Sequence, residues 1–192
     1  MTEEESKSYL KQLISCLDAL PYDSLRRFSE VILDAYDAGR SVFIFGNGGS
    51  ATTAVHMAAD LFKNTVNKDQ QGVRAISLAD NAGLLTAVAN DVAYEDVFVV
   101  QLRTLLSPGD VVIAISASGN SENVLRGVMY AKKHEAVCLG LVGFSGGRLK
   151  DLVAECIWVR NNSYEQVEDT HLVISHMLTR AVRDSIRARQ QA

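Results

Sequence analysis

Proline is nearly missing from this chain, with two in 192 residues. With 47% hydrophobic and 22% charged residues, that is the profile of a compact fold and excludes a disordered one. Cysteine is scarce as well. Cys16, Cys138 and Cys156 are odd in number, widely spaced and free of any C-x-x-C pattern, which argues against a disulfide framework and a cysteine zinc site and leaves buried free thiols as the expectation. No apolar run approaches the roughly 18 residues of a membrane span. The first residues, Met1-Thr2-Glu3-Glu4-Glu5, are acidic where a secretion signal would be basic and then apolar. A cytoplasmic protein with no membrane partner is expected. A basic stripe is missing too: the net charge is −4, and Arg26-Arg27, Lys132-Lys133 and Arg187 to Arg189 are short isolated clusters, so a nucleic-acid partner is not expected. There is no internal repeat of 20 to 50 residues and no low-complexity segment.

What is present is a change of period near residue 39. Before it, Leu10, Leu13, Ile14 and Leu17 share one helical face, and Leu25, Phe28, Ile32 and Tyr36 share another, with Pro21 between the two helices and Gly39 closing the second. After it come short runs rich in Val and Ile, each followed by a helical stretch: Ser41 to Phe45, Val73 to Leu78, Asp110 to Ile115, Ala136 to Val142 and Cys156 to Val159. Near-continuous apolar strands alternating with helices imply a parallel sheet covered on both faces. The expected fold class is therefore α/β, a doubly wound five-stranded parallel sheet in a three-layer sandwich. A helical segment at 1–38 precedes a ligand-binding domain at 39–192. Such sheets bind ligands at the carboxyl ends of their strands.

Two of those ends carry chemistry. Phe43-Ile44-Phe45 runs into Gly46-Asn47-Gly48-Gly49-Ser50 and then into an alanine-rich helix. Glycines let the backbone bring free N–H groups close to an anion, and the helix N-terminus adds partial positive charge. An ordinary tight turn would show the same glycines. The second instance, Ser116-Ala117-Ser118-Gly119-Asn120-Ser121, follows Val111 to Ile115 and leads into another helix. Serine hydroxyls and backbone N–H groups can satisfy a phosphate dianion without a lysine. Ser121 alone would be explained by N-capping, but capping needs neither Ser116 nor Ser118. The third turn, Gly143-Phe144-Ser145-Gly146-Gly147, reads as structural. A dinucleotide fold competes for Gly46-Asn47-Gly48-Gly49, yet it wants an acidic residue about 20 positions onward. The first acid after the next strand is Asp80, and the serine-rich turn has no role in that scheme.

Together with a late histidine-bearing helix, these two turns resemble the phosphoheptose isomerase family of SIS (sugar isomerase) domain proteins, a likeness running from about Gly39 to Arg183. The resemblance implies an aldose–ketose isomerase acting on a sugar phosphate, sedoheptulose 7-phosphate first among candidates, in a zinc-binding homotetramer with active sites at subunit contacts. It puts the ligand-binding turn on Asn47, Gly48, Gly49 and Ser50, and the phosphate loop on Ser116, Ala117, Ser118 and Ser121. It puts an Asn–Asp pair on Asn90 and Asp91, and the metal site on His56, Asp60, Glu168 and His176. Asp60 stands where the family has a catalytic glutamate, one methylene longer, and Glu168 where it usually has glutamine and a substrate contact. Asn64, with Lys63 beside it, stands near where the family often carries an arginine.

Apart from the resemblance, His56 and Asp60 are four apart on a helix and share a face, as a plain solvated pair would. Glu168 and His176 are eight apart, about 12 Å of helix. His171 is the alternative ligand on that stretch, and only the resemblance favours His176. Two imidazoles and two carboxylates suit zinc. Asp60 and His176 are the acid–base candidates for an enediol mechanism, and Glu165 and Asp169 read as solvated. A non-catalytic SIS module that binds or senses sugar phosphate is the alternative function.

Overall fold

The computed structural model describes residues 1–67 and 70–189. Two helices open the chain, α1 (Glu3–Asp18) and α2 (Tyr22–Asp37). Thr2 and Glu5 form a reciprocal capping box at the start of α1. The end of α2 closes through Gly39 at φ +64°, with Arg40 N–H donating to the Ala35 carbonyl (2.8 Å) and Gly39 N–H to that of Tyr36 (3.1 Å). Strand β1 (Ser41–Gly46) leads to α3 (Gly49–Thr65) and β2 (Arg74–Ser77). Then come α4 (Ala82–Asp91), a 3-10 turn at Tyr94–Asp96 and α5 (Val97–Leu105). Strand β3 (Val111–Ser116), α6 (Glu122–Lys133), β4 (Val137–Val142), α7 (Leu149–Leu152), β5 (Glu155–Trp158) and the long α8 (Tyr164–Arg189) complete the chain.

All five strands are parallel, in the order β2-β1-β3-β4-β5. The central strands β1 and β3 are buried at every position, which is why they read as unbroken apolar runs. The edge strand β2 alternates between exposed and buried. One core layer, with Phe28, Ile32, Met57, Leu61, Ile174 and Val182, packs α2, α3 and α8 against one face of the sheet. The other, with Phe98, Leu102, Leu125, Val128 and Leu149, packs α5, α6 and α7 against the opposite face. Fully burying a side chain of this size stabilises by about 1.5–3 kcal/mol. The chain direction reverses its strand order between β1 and β3, the position where doubly wound sheets open a crevice.

Strand limits differ from the sequence reading by one or two residues. Gly46 joins β1, Ser116 joins β3 and Glu155 joins β5, while β2 loses Val73, whose N–H donates to the Thr65 hydroxyl at 2.8 Å. The first helix departs more: α1 buries none of its residues, and Leu10 and Ile14 on its apolar stripe are exposed. Of the three thiols, only Cys138 is fully buried, and Cys16 and Cys156 are partly buried against the two core layers.

Candidate active site

The two glycine-bearing turns lie side by side, because Gly46 at the end of β1 pairs in register with Ile115, the residue before Ser116. They are also bonded to each other. Asn47 Nδ2 donates to Asn123 Oδ1 (2.8 Å), Asn123 Nδ2 donates to Asn47 Oδ1 (2.9 Å), and the Tyr94 hydroxyl donates to the same Asn47 oxygen (3.0 Å). Tyr94 follows closely on Asn90 and Asp91 at the end of α4, where Asn90 Nδ2 donates to Asp91 Oδ1 at 2.7 Å and both side chains are exposed.

In the first turn Gly48, at φ +53°, is the N-cap of α3, and its carbonyl accepts from Ala51 and Thr52. Ser50 is buried in the first turn of α3. A Cβ on Gly49 would meet the Glu168 carboxylate, which would have to swing aside. That carboxylate is held above its ordinary pKa by burial first, then by Glu165 and Asp169. Glu168 thus faces the first turn.

In the second turn the buried Ser116 hydroxyl accepts from Gly119 N–H (3.1 Å), and Ser118 Oγ accepts from Asn120 N–H (3.2 Å). The Ala117 carbonyl accepts from Gly143 N–H (2.9 Å). Ser121 occupies the N-cap of α6, but its hydroxyl makes no capping bond, contrary to the capping read from the sequence. No acceptor among the described residues takes the backbone N–H of Ser121, Glu122 or Asn123. This helix start therefore offers hydroxyl and amide donors to an anion. The third turn is structural, as read: Gly147 lies so close beneath that a Cβ on it would sit 2.5 Å from the Ser118 carbonyl, and Leu149 N–H donates to the Gly119 carbonyl (2.9 Å).

Helices α3 and α8 pack together and bring His56, Asp60 and His176 to one point. The two Nε2 atoms are 2.9 Å apart, and Asp60 Oδ2 is 3.3 Å from His56 Nε2 and 3.8 Å from His176 Nε2. Asn64 Nδ2 donates to the other Asp60 oxygen at 3.1 Å. Both rings are exposed and Asp60 is half-buried. Among the described residues these three form the cluster whose ligand atoms lie within 4.8 Å of one another. Glu168, about 12 Å of helix away, is outside it.

His171 is the opposite case. It is fully buried with neither ring nitrogen hydrogen-bonded, as are Ser175 Oγ and Thr179 Oγ1 further along the same face of α8. Burial pushes its pKa down to about 4, opposed weakly by the Val142 backbone, which faces the ring without the geometry of a hydrogen bond. Asp169 is exposed but not simply solvated, because the Tyr9 hydroxyl of α1 donates to it at 2.5 Å, and the bond raises the Tyr9 pKa to about 12. Glu165 is exposed, and its bond from the Ser163 hydroxyl lowers its pKa.

Neither Tyr94 nor Asn123 was singled out from the sequence. Asn123 left one trace, a polar residue in the first turn of a helix beginning in Ser121. Tyr94 left none, lying 47 residues from its partner. An open hollow between Tyr36, Gly39, Arg40 and Arg74, about 380 Å³, lies at the N-terminal edge of β1 and β2, away from these turns. The site is thus marked by its converging donors and not by that hollow.

Fold and turns define a protein of the SIS class, and the SIS domain family model matches residues 7–143. The phosphoheptose isomerase of Nitratiruptor sp. is 38% identical over 157 residues, 82% of this chain and 83% of that protein. The probable phosphoheptose isomerase of Thermoplasma acidophilum is 34% identical over 174 residues, 91% of this chain and 95% of that one. The structure of a phosphoheptose isomerase from Francisella tularensis superposes with a TM-score of 0.88 at 26% identity, covering 96% of this chain and 100% of that chain. The chain belongs to the phosphoheptose isomerase family.

Proposed function

We propose that this phosphosugar isomerase converts sedoheptulose 7-phosphate to D-glycero-D-manno-heptose 7-phosphate through an enediol. The observation that carries the reading is that His176 of α8 meets His56 and Asp60 of α3, the helix that leaves the first of two adjoining glycine-bearing turns. The phosphate is held by the Ser118 and Ser121 hydroxyls and the free amides at the start of α6, in a loop shaped by Ser116 and Ala117. Asn47, Gly48, Gly49, Ser50 and Glu168 border the sugar from the other turn, and Asn90 and Asp91 from the end of α4. Asp60 takes the proton from C1 of the ketose and returns it to C2, and His176 carries a proton between the two oxygens.

Two imidazoles and one carboxylate are the donor set of a catalytic zinc centre with an open position. Zinc–nitrogen bonds of usual length in a tetrahedron put two nitrogens about 3.3 Å apart. The 2.9 Å between His56 and His176 Nε2 fits this after an adjustment within reach of two exposed rings. Zinc held by His56 Nε2, His176 Nε2 and Asp60 Oδ2 would polarise the carbonyl as a Lewis acid, leaving Asp60 Oδ1 and His176 Nδ1 to move the protons.

Exposed Leu10 and Ile14 on α1, with Val55 and Phe62 on α3 beside the histidine cluster, support a homotetramer whose contacts enclose the site. Residues 1–38 serve as the helical lead-in to the sugar-phosphate-binding domain of 39–192. Among the described residues no helix is long and apolar enough to cross a membrane, and the assigned location is the cytoplasm. The test is to measure bound metal in the purified protein and follow sedoheptulose 7-phosphate by NMR beside a panel of C5 to C7 sugar phosphates. Consumption of the heptulose supports the assignment, and turnover of none despite bound zinc would replace it with a non-catalytic sugar-phosphate binder.

A further inference from the structure

The amide pair between the two turns has only one possible orientation. Val124 N–H donates to Asn123 Oδ1 at 2.9 Å, and a backbone donor can meet only an oxygen there, which settles which atom of the Asn123 amide is which. With Asn123 oriented, its Nδ2 must face an oxygen of Asn47 and its Oδ1 a nitrogen, as their two bonds require. The Tyr94 hydroxyl then meets Asn47 Oδ1 and must donate to it. Both lone pairs of that oxygen are used, and one hydrogen of Asn47 Nδ2 is committed to Asn123. A single N–H remains free on Asn47. Asn123 is 2% exposed, so its side of the pair is shielded from water.

We infer that Asn123 and Tyr94 are positioning residues that lock the Asn47 side chain so that it meets the sugar phosphate only as a hydrogen-bond donor, toward a phosphate, carbonyl or hydroxyl oxygen that accepts. The inference rests on the reading that Asn47 borders the substrate. An unlocked asparagine would present its oxygen to an oxygen-rich ligand about as readily as its nitrogen, so the lock removes a wrong state before binding. Tyr94 ties this orientation to the segment that carries Asn90 and Asp91, and Asn123 ties it to the start of α6.

Asn123→Asp keeps the shape but turns a donor into an acceptor, and whichever way Asn47 then rotates, one oxygen faces another. KM for sedoheptulose 7-phosphate should rise roughly tenfold or more, with kcat changed much less, because the lost contact serves bound substrate and transition state alike. Tyr94→Phe removes one donor at an exposed position, does not threaten folding, and should raise KM roughly two- to tenfold. In the free protein, the Asn47 side-chain amide should show one protected and one exchanging hydrogen by NMR, and Tyr94→Phe should shift that signal. Asn47→Ala is the control: an unchanged KM there removes the substrate contact and the inference with it. A raised KM in Asn47→Ala, beside wild-type KM in both Asn123→Asp and Tyr94→Phe or an Asn47 amide with two equally exchanging hydrogens, overturns the lock alone.

Discussion

His171 makes the stability of this protein depend on pH in a way that can be worked out beforehand. Its ring is completely buried on α8, and burial lowers its pKa from an ordinary 6.5 to about 4. Between pH 6.5 and about 4 the unfolded chain binds a proton that the folded chain refuses. Stability from this group is therefore fully present above pH 6.5, falls with pH through that window and levels off below about 4. At about 1.4 kcal/mol per pKa unit, the loss across the window is about 3 kcal/mol. The informative variant is His171→Leu, which cannot titrate and also removes two buried nitrogens that have no hydrogen bond. Urea unfolding of both proteins from pH 7.5 to 4, subtracted at each pH, should show the gap moving in favour of the leucine variant as pH falls. Parallel profiles would refute the reasoning, because they would mean that the histidine is charged in the folded state or reachable by water.

Asp60→Asn and His176→Ala should each lower kcat by roughly 10²- to 10⁴-fold in the NMR assay while leaving the melting temperature nearly unchanged, since neither side chain is part of the core. Removing metal with a chelator should abolish turnover, and zinc should restore it in the wild type but not in His56→Ala. Gly49→Ala should change the melting temperature little, because the group its Cβ meets is the flexible end of Glu168, but should raise KM by pushing that carboxylate away from the first turn. In an ultraviolet titration Tyr9→Phe should remove a phenol that ionises near pH 12, later than an ordinary tyrosine.

The candidate site was legible to different depths. Gly46 to Ser50 and Ser116 to Ser121 could be read because each is local: a strand end, glycines and a helix start within a few residues. His56 and Asp60 could be paired because four residues on a helix share a face. The choice between His171 and His176 could not be made from spacing, since it depends on which side of α8 meets the sheet. Packing buries His171 and leaves His176 exposed beside His56. Glu168 was grouped with the histidines, but the parallel course of α3 and α8 carries it to Gly49 instead. The thiols differ from the expected burial for a similar reason: Cys16 lies on a helix that buries nothing, and Cys156 on an edge strand.

By itself the sequence determined the alternation of strands and helices, the parallel sheet and the two glycine-bearing turns at strand ends, because apolar period, glycine and helix-start chemistry act over a few residues. Only the tertiary structure decided that β1 and β3 are neighbours, that Asn47, Asn123 and Tyr94 close on one another, and that one histidine of α8 is sealed while the other meets its partners. Those facts depend on strand order and on the face each helix turns inward, and both are settled by burying the whole apolar surface at once.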